Sequence, residues 1–317
     1  MRVAVLCGGF GAARFLDGLR RVPGLALTCV VNTADDLDYA GVHVSPDVDT
    51  VTYALAGLFD EGRGFGMVGD TFRNAEALRR YGAGWFAVGD GDLATSLRRT
   101  ERLRAGASLS EATAELAAAL GVEAAVVPMS DDPVRTVVVT DEGRLPFQEW
   151  LVARRAQPAV RAVEHEGLAR ARPAPAVLPA LQDADLVILA PSSPVASLAP
   201  ILAVPGVRPA LAAAVVTAVS PVVSGRAPAT PPERSRAHVR AAFMAAAGLA
   251  HSATAVAGLY AGLADTFVLD ERDARAEAGA VRSLGLDVVA ADTLAAGAAR
   301  VALAEAVLAT ARPPTRR

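Results

Sequence analysis

Short apolar runs alternate with amphipathic segments along most of the chain. Near the N-terminus, the runs Val3–Cys7 and Leu27–Val31 flank a segment whose spacing of apolar residues predicts a helix that begins near Ala12. Other continuous apolar runs, typical of strands buried on both faces, lie at Leu186–Ala190, Val215–Val219, Phe267–Leu269 and Val288–Ala290. This alternation predicts an α/β fold, a Rossmann-like three-layer sandwich around a mainly parallel sheet.

The middle of the chain has a different pattern. Helical spacing predicts helices at Val51–Leu58, Thr71–Tyr81, Ala94–Arg104 and Leu109–Leu120. Ser108 and Glu111 form a capping box before the last of them, and Asp141-Glu142-Gly143 would join extended runs at Arg135–Thr140 and Leu145–Gln148 in a hairpin. No linker flanks this region, so we predict a single α/β catalytic domain over residues 1–317 with a helical and hairpin insertion at about 50–170. After Thr293 we expect a packing helix and frayed residues 313–317.

Composition narrows the class of protein. The chain has 317 residues, 52% of them hydrophobic, and a formal charge of -3, which indicates a globular protein and not a nucleic-acid binder. It contains no lysine, so a lysine-based P-loop is excluded and any cationic contact to phosphate must come from arginine. Cys7 and Cys29 lie in apolar runs, which favours two buried thiols in a reducing compartment. Prolines interrupt the apolar region Leu186–Val223, and no signal-peptide pattern is present; we expect a cytoplasmic protein without a membrane helix.

A glycine turn follows the first predicted strand. Gly8, Gly9 and Gly11 would leave backbone N–H groups free at the positive end of a helix, where phosphate binds without a side chain. The turn is similar to the dinucleotide fingerprint, but Arg14 stands where a small residue is needed for close helix packing. A turn without ligand is the alternative.

Acidic residues accumulate directly after the second strand. Asp35 and Asp36 follow Asn32 at the strand end, and Asp47 and Asp49 come a few residues later. A ribose-binding strand end needs a single acid, so the surplus predicts metal or substrate chemistry. Because carboxylates repel phosphate, a divalent cation would have to bridge the two.

Three further loops place polar residues after apolar runs. They are Gly89–Asp92, Pro128–Pro133 and Pro191–Pro194. Ligands of open parallel sheets bind at the carboxyl ends of strands, although each loop alone could be a solvated turn.

Taken in order, these motifs resemble the 2-phospho-L-lactate transferase family of coenzyme F420 biosynthesis. The resemblance extends through Gly69–Phe72, Ser220-Pro221, Phe267–Asp273 and Ala291–Thr293, and so covers essentially the whole chain.

The resemblance implies a magnesium-dependent transferase. The donor would be a guanosine diphosphate ester of phospholactate, phosphoenolpyruvate or phosphoglycerate, the acceptor the primary alcohol of the deazaflavin Fo, and the products GMP and an F420-0-type compound. Asp49 would contact the Fo hydroxyl or the metal, with Asp47 as its partner, and both are candidate Mg²⁺ ligands. The resemblance also makes a homodimer plausible. Candidate substrate-binding residues are Gly8, Gly9, Gly11, Arg14, Asn32, Asp35, Asp36, Asp90, Asp92, Ser130, Asp131, Ser192 and Ser193.

Some positions depart from the family pattern. Gly91 replaces the arginine of a Gly-Asp-Arg-Asp motif, Ala87 stands where a cationic side chain is common, and Ser193 replaces asparagine.

Two rival interpretations of the function stay open. One is a nucleotide-sugar-binding protein of the related gluconeogenesis-factor family, which does not turn its ligand over. The other is a nicotinamide dehydrogenase, disfavoured by the surplus of acids and by Arg14.

Overall fold

A computed structural model describes residues 1–224 and 226–311. Its strands are β1 Arg2–Cys7, β2 Ala26–Val31, β3 Leu37–Tyr39, β4 Val42–Val44, β5 Ala125–Pro128, β6 Arg135–Thr140, β7 Gly143–Pro146, β8 Val160–Glu166, β9 Leu186–Leu189, β10 Val216–Val219, β11 Thr266–Asp270 and β12 Asp287–Ala291. Its α-helices are α1 Gly9–Leu19, α2 Pro46–Ala56, α3 Arg73–Arg80, α4 Asp90–Arg104, α5 Leu109–Ala119, α6 Val177–Gln182, α7 Ala199–Ala203, α8 Val207–Leu211, α9 Pro231–Ala246, α10 Ala253–Tyr260, α11 Glu271–Ser283 and α12 Ala299–Leu308. Short π-helical turns span Glu149–Ala153 and Pro194–Leu198.

The central sheet has seven strands in the order β12-β11-β10-β9-β1-β2-β5. Every neighbouring pair in it is parallel. The chain runs outward from β1 to β2 and β5, then returns to place β9 on the other side of β1. The strand order therefore reverses between β1 and β9, where the loops that leave the two strands diverge and open a crevice.

Both faces of this sheet are covered by helices. Alternate residues of β1 point to opposite faces, so Val3 and Val5 join one apolar cluster with α1, α2, α5 and α12. Ala4 and Leu6 join the other with α6, α7, α8, α10 and α11. A strand that is buried on both sides must be apolar at every position, which explains the continuous run in the sequence. The predicted Rossmann-like three-layer sandwich is confirmed.

Three helices begin earlier than predicted. The helix α1 begins at Gly9 and not near Ala12, and α4 begins at Asp90 and not at Ala94. The largest difference is α2, which begins at Pro46 where the sequence predicted Val51. Proline at the first helical position and acids in the first turn are start signals. Asp47 and Asp49, which precede the predicted start, therefore belong to the helix.

The middle region forms smaller units beside the sandwich. The capping box of Ser108 and Glu111 and the hairpin of β6 with β7 are confirmed, but β8 pairs with β6 as a third antiparallel strand that the sequence did not predict. The β3–β4 hairpin was also missed. Its turn has positive φ at Ala40 and Gly41, and alanine there gives no turn signal. Within residues 50–170, α5 and β5 belong to the sandwich. The division into domain and insertion stays a prediction.

Helix α12 is the packing helix expected near the C-terminus, with Ala304 and Val307 buried in the same cluster as Phe15 of α1. The predicted fraying at Pro313–Arg317 lies outside the described residues. Cys7 and Cys29 are buried free thiols, as predicted. No helix in residues 1–224 or 226–311 is long and apolar enough to span a membrane.

Candidate functional site

A cavity of about 890 Å³ opens where the strand order reverses. The loop after β1 lines it through Gly8, Gly9 and Gly11, and the loop after β9 through Pro191 and Ser193. The two loops are joined, because the Gly8 N–H donates to Ser192 Oγ at 3.1 Å. The glycine turn and the serine loop, far apart in the chain, thus form one wall.

Each glycine of this turn is needed for a different structural reason. A Cβ on Gly8 would lie 2.2 Å from Asp47 Oδ2, and a Cβ on Gly11 would lie 2.0 Å from the Pro191 carbonyl oxygen. Gly9 has a φ of +70°, which favours glycine. Because Gly8 and Gly11 have no side chains, the Asp47 carboxylate and the loop after β9 can approach the start of α1.

Asp47 is the acid closest to the glycine turn. It accepts a hydrogen bond from Asn32 Nδ2 at 2.9 Å, and Ser197 Oγ lies 3.4 Å from the same oxygen. Burial raises the pKa of Asp47 to about 6. Asp35, which also lines the cavity, accepts from Thr136 Oγ1 at 3.0 Å, and burial together with the charge of Asp47 raises its pKa well above the usual range.

Asp49 lies in the first turn of α2 and is paired with Arg99 of α4. Arg99 is 1% exposed and binds both carboxylate oxygens of Asp49, with Nη1 at 3.1 Å from Oδ2. Burial raises the pKa of Asp49, while the Arg99 charge opposes that rise. The sequence analysis missed Arg99, because the buried face of α4 consists of polar residues, Thr95, Ser96 and Thr100 beside Arg99, and so has no apolar pattern that singles out the arginine.

Asp92 completes this side of the cavity. Its Oδ1 accepts a hydrogen bond from Tyr53 Oη at 2.8 Å, and burial plus the nearby charge of Asp49 raise its pKa to about 7. Asp90 does not line the cavity; it accepts from Thr71 Oγ1 and from the Asn74 amide group at 2.7 Å, and so fastens α3 to the start of α4.

Arg14 lines the cavity but is already bound to acids. Its Nε lies 3.0 Å from Glu61, its Nη1 lies 3.2 Å from Glu233, and the guanidinium stands 5.7 Å from the Phe10 ring. Most of its charge is therefore compensated within the protein, and its predicted contact to phosphate stays a prediction.

Four other residues predicted for the site make hydrogen bonds or ion pairs within the surrounding loops. Ser130 Oγ donates to the Arg172 carbonyl at 2.6 Å, and Asp131 accepts from the Ser110 N–H at 2.7 Å. Asp36 lies 3.0 Å from His43 Nε2. Ser193 caps the turn Pro194–Leu198 by accepting from the Ala196 N–H. Of these, only Ser193 is in the cavity wall.

The acids fit a magnesium ion that shares its ligands with a substrate. Nowhere in the described part of the chain do three or more His, Cys, Asp or Glu side chains gather as a complete metal site. Mg²⁺ needs no such set, since it keeps waters and takes one or two carboxylates with substrate phosphates. Asp47 offers a carboxylate beside the glycine turn, and Asp35 lines the same cavity. Asp36, whose Oδ1 is buried without a hydrogen-bond partner, lies outside the cavity wall.

Fold and site together define a Rossmann-like α/β protein with a large cavity at the strand-order reversal, lined by both acids and arginines. Residues 3–306 match the family described as 2-phospho-L-lactate transferase CofD. The chain belongs to the 2-phospho-L-lactate transferase family and is a transferase. The family predicted from the sequence, of coenzyme F420 biosynthesis, is confirmed.

Individual relatives cover nearly the full chain. The 2-phospho-L-lactate transferase of Methanosarcina mazei is 39% identical over 292 residues, which cover 92% of this chain and 93% of that protein. The phosphoenolpyruvate transferase of Streptomyces griseus is 42% identical over 318 residues, covering 96% and 98%. A crystal structure of a UPF0052 family member from Bacillus halodurans has a TM-score of 0.60 at 18% identity, covers 96% of this chain and 98% of its own, and supports the fold alone.

Proposed function

We propose that the protein transfers a phospholactyl, phosphoenolpyruvyl or phosphoglyceryl group from its guanosine diphosphate ester to the deazaflavin Fo. The Fo alcohol oxygen would bond to the phosphorus that carries the small acid, the bridge to the guanosine phosphate would break, and GMP would leave. The phospholactyl and phosphoenolpyruvyl donors follow the names of two relatives, a 2-phospho-L-lactate transferase and a phosphoenolpyruvate transferase. The phosphoglyceryl donor follows only from the resemblance seen in the sequence.

One observation carries the proposal: Asp47 lies against the glycine turn at the start of α1. The α1 N–H groups supply donors and a positive dipole for the diphosphate. A bound Mg²⁺ would neutralise charge on the diphosphate and on the leaving GMP. Asp47 would hold that ion, which is why an acid is tolerated where phosphate must bind.

Asp49 is proposed to contact the Fo hydroxyl or the metal. The bidentate pair with Arg99 fixes its orientation, and a positioned carboxylate can accept the proton that the alcohol loses. Proton acceptance contributes little if the transition state is loose, so orientation of the alcohol is the larger part of the role.

Mass spectrometry of the products tests the proposal. The protein is mixed with Fo, Mg²⁺ and each of the three guanosine diphosphate esters in turn, with a sample lacking Fo as the control. We expect GMP and an F420-0-type product from at least one ester, and GMP only when Fo is present. Calorimetry with GDP and UDP-sugars runs in parallel. Binding of UDP-sugars without any transfer would contradict the proposal and favour the nucleotide-sugar-binding alternative.

A further inference from the structure

Two arginines of α9 face the cavity on successive turns. Arg236 and Arg240 are four residues apart, so they lie on one side of the helix, and both line the cavity. The same side carries Val239 and Phe243, which are buried in an apolar cluster with Trp150. That cluster fixes the rotation of the helix and directs both guanidinium groups inward.

These arginines differ from Arg14 and Arg300, which also line the cavity, in having no acidic partner. Arg14 and Arg300 are each within 4.0 Å of carboxylates. Among the described residues, no carboxylate comes that close to Arg236 or Arg240. Arg236 donates to the Gly64 carbonyl at 2.7 Å and stands 5.2 Å from the Phe10 ring. The wall formed by α9 therefore carries positive charge that the protein does not compensate.

Burial makes this uncompensated charge costly. It lowers the pKa of both arginines, that of Arg240 to about 10, and only Arg236 gains an offset from the charge of Asp47. Both side chains are half-buried and line the cavity. An anion bound there would supply the missing partner.

His251 sets the orientation of Arg240. Arg240 Nε donates to His251 Nε2 at 3.1 Å, and arginine has no acceptor, so that ring nitrogen must be unprotonated. Burial and the Arg240 charge both lower the pKa of His251, which keeps it in this acceptor form. With Nε engaged, the two terminal nitrogens of Arg240 remain as a pair that matches a carboxylate.

We propose that Arg236 and Arg240 form a subsite for the carboxylate of the transferred small acid. The inference rests on the proposed function. The donor has two anionic parts, a diphosphate and a carboxylate. In the proposed function the glycine turn and the ion held by Asp47 bind the diphosphate. The carboxylate is attached one carbon from the phosphate ester, so its partner must lie near Asp47 but not on it. Arg236 is close enough to feel the charge of Asp47, and Arg240 lies one turn further along α9.

The three candidate acids share this carboxylate and differ in the remaining substituent. A subsite that holds the common group orients the phosphorus for the alcohol while leaving the choice of acid to other contacts. A hydrogen-bonding pair of this kind rejects an analogue without the charged group much more strongly than an apolar pocket rejects a change of shape.

Calorimetry with Mg²⁺ present and without Fo isolates binding from turnover. The probes are GDP, its 2-lactyl ester and its isopropyl ester, which carries a methyl group in place of the carboxylate. We expect the wild type to bind the lactyl ester ~10- to 100-fold more tightly than the isopropyl ester. Arg240→Met should reduce this ratio to about threefold or less, with affinity for GDP and the isopropyl ester unchanged, since only the charge-assisted pair is lost.

Control variants make the outcome specific. Arg234→Met on the same helix is exposed and does not line the cavity, so the ratio should stay at its wild-type value. Retained GDP binding shows that a variant is folded, and Arg236→Met provides a second test if Arg240→Met does not fold. Equal wild-type affinity for the two esters would overturn the subsite while leaving the transferase intact. Equal weakening of all three probes by Arg240→Met would assign the arginines to the diphosphate and also overturn it. If the wild type bound none of the probes, the proposed function itself would fail.

Discussion

Asp49 has two roles, one in the proposed reaction and one in the stability of the fold. The helix predicted at Val51–Leu58 left Asp49 outside it, but Asp49 is a helical residue that neutralises the buried Arg99. We predict that Asp49→Ala lowers the free energy of unfolding by about 3–5 kcal/mol, because it leaves a buried guanidinium without its partner. Urea unfolding followed by circular dichroism measures the loss.

The double variant Asp49→Ala with Arg99→Met is the control for this prediction. Removing both charges should recover a large part of the lost stability. Transfer is then assayed in the double variant, in which lost activity reports on chemistry and not on unfolding. An Asp49→Ala variant as stable as the wild type would show that the pair does not stabilise the fold.

The raised pKa of Asp92 predicts how the free energy of unfolding depends on pH. Its pKa is raised to about 7 in the folded protein, whereas an unfolded aspartate titrates near 3.9. Between these values the folded state binds more protons than the unfolded state, so the free energy of unfolding rises as the pH falls from about 8 to 5. Asp92→Asn is neutral throughout and should lose this part of the pH dependence. Urea midpoints at the two pH values measure it, and an identical pH response in both proteins would refute the assignment.

The turn between β1 and α1 depends on close contact between segments. A methyl group on Gly11 would lie 2.0 Å from the Pro191 carbonyl oxygen, and neither backbone can yield without moving α1 or the loop after β9. We predict that Gly11→Ala destabilises the protein by about 1–3 kcal/mol, typical of overpacking, and weakens GDP binding. Thermal unfolding and calorimetry check the two effects.

Gly279 of α11 is the matched control, because a Cβ there meets nothing within 4 Å. Alanine at an open helical position should stabilise by about 0.5–1 kcal/mol relative to glycine. If Gly11→Ala behaved like Gly279→Ala, close packing would not be the reason for glycine at position 11.

Elements whose signals are local could be predicted from the sequence, and the central strands are the clearest case. Val3–Cys7 had to be a buried strand because every position is apolar. The start of α2 was missed because its proline and acids also fit a loop. The strand β8 was missed because it ends in three consecutive polar residues, Glu164–Glu166, which break the alternation expected of a half-buried strand. The glycine turn and Asp47 could be found as motifs. Arg99 and the α9 arginines could not, since only the folded chain brings α4 and α9 to the cavity.

At the scale of the whole molecule, the glycine-turn side of the cavity brings two buried acids together. Asp35 and Asp47 repel each other, and burial raises the pKa of both. A cation that binds only the folded state stabilises it by mass action, by about 2.7 kcal/mol at one hundred times its dissociation constant.

We therefore predict that Mg²⁺ with GDP raises the melting temperature by roughly 5 °C, that chelation by EDTA reverses the rise, and that Mg²⁺ alone gives a smaller one. Asp47→Asn is isosteric, so it should keep the fold but lose the response to Mg²⁺. Differential scanning calorimetry of both proteins, with NaCl added to equal ionic strength as the control, measures these shifts. If Asp47→Asn responded to Mg²⁺ as fully as the wild type, the ion would bind elsewhere, and the acid beside the glycine turn would need another explanation.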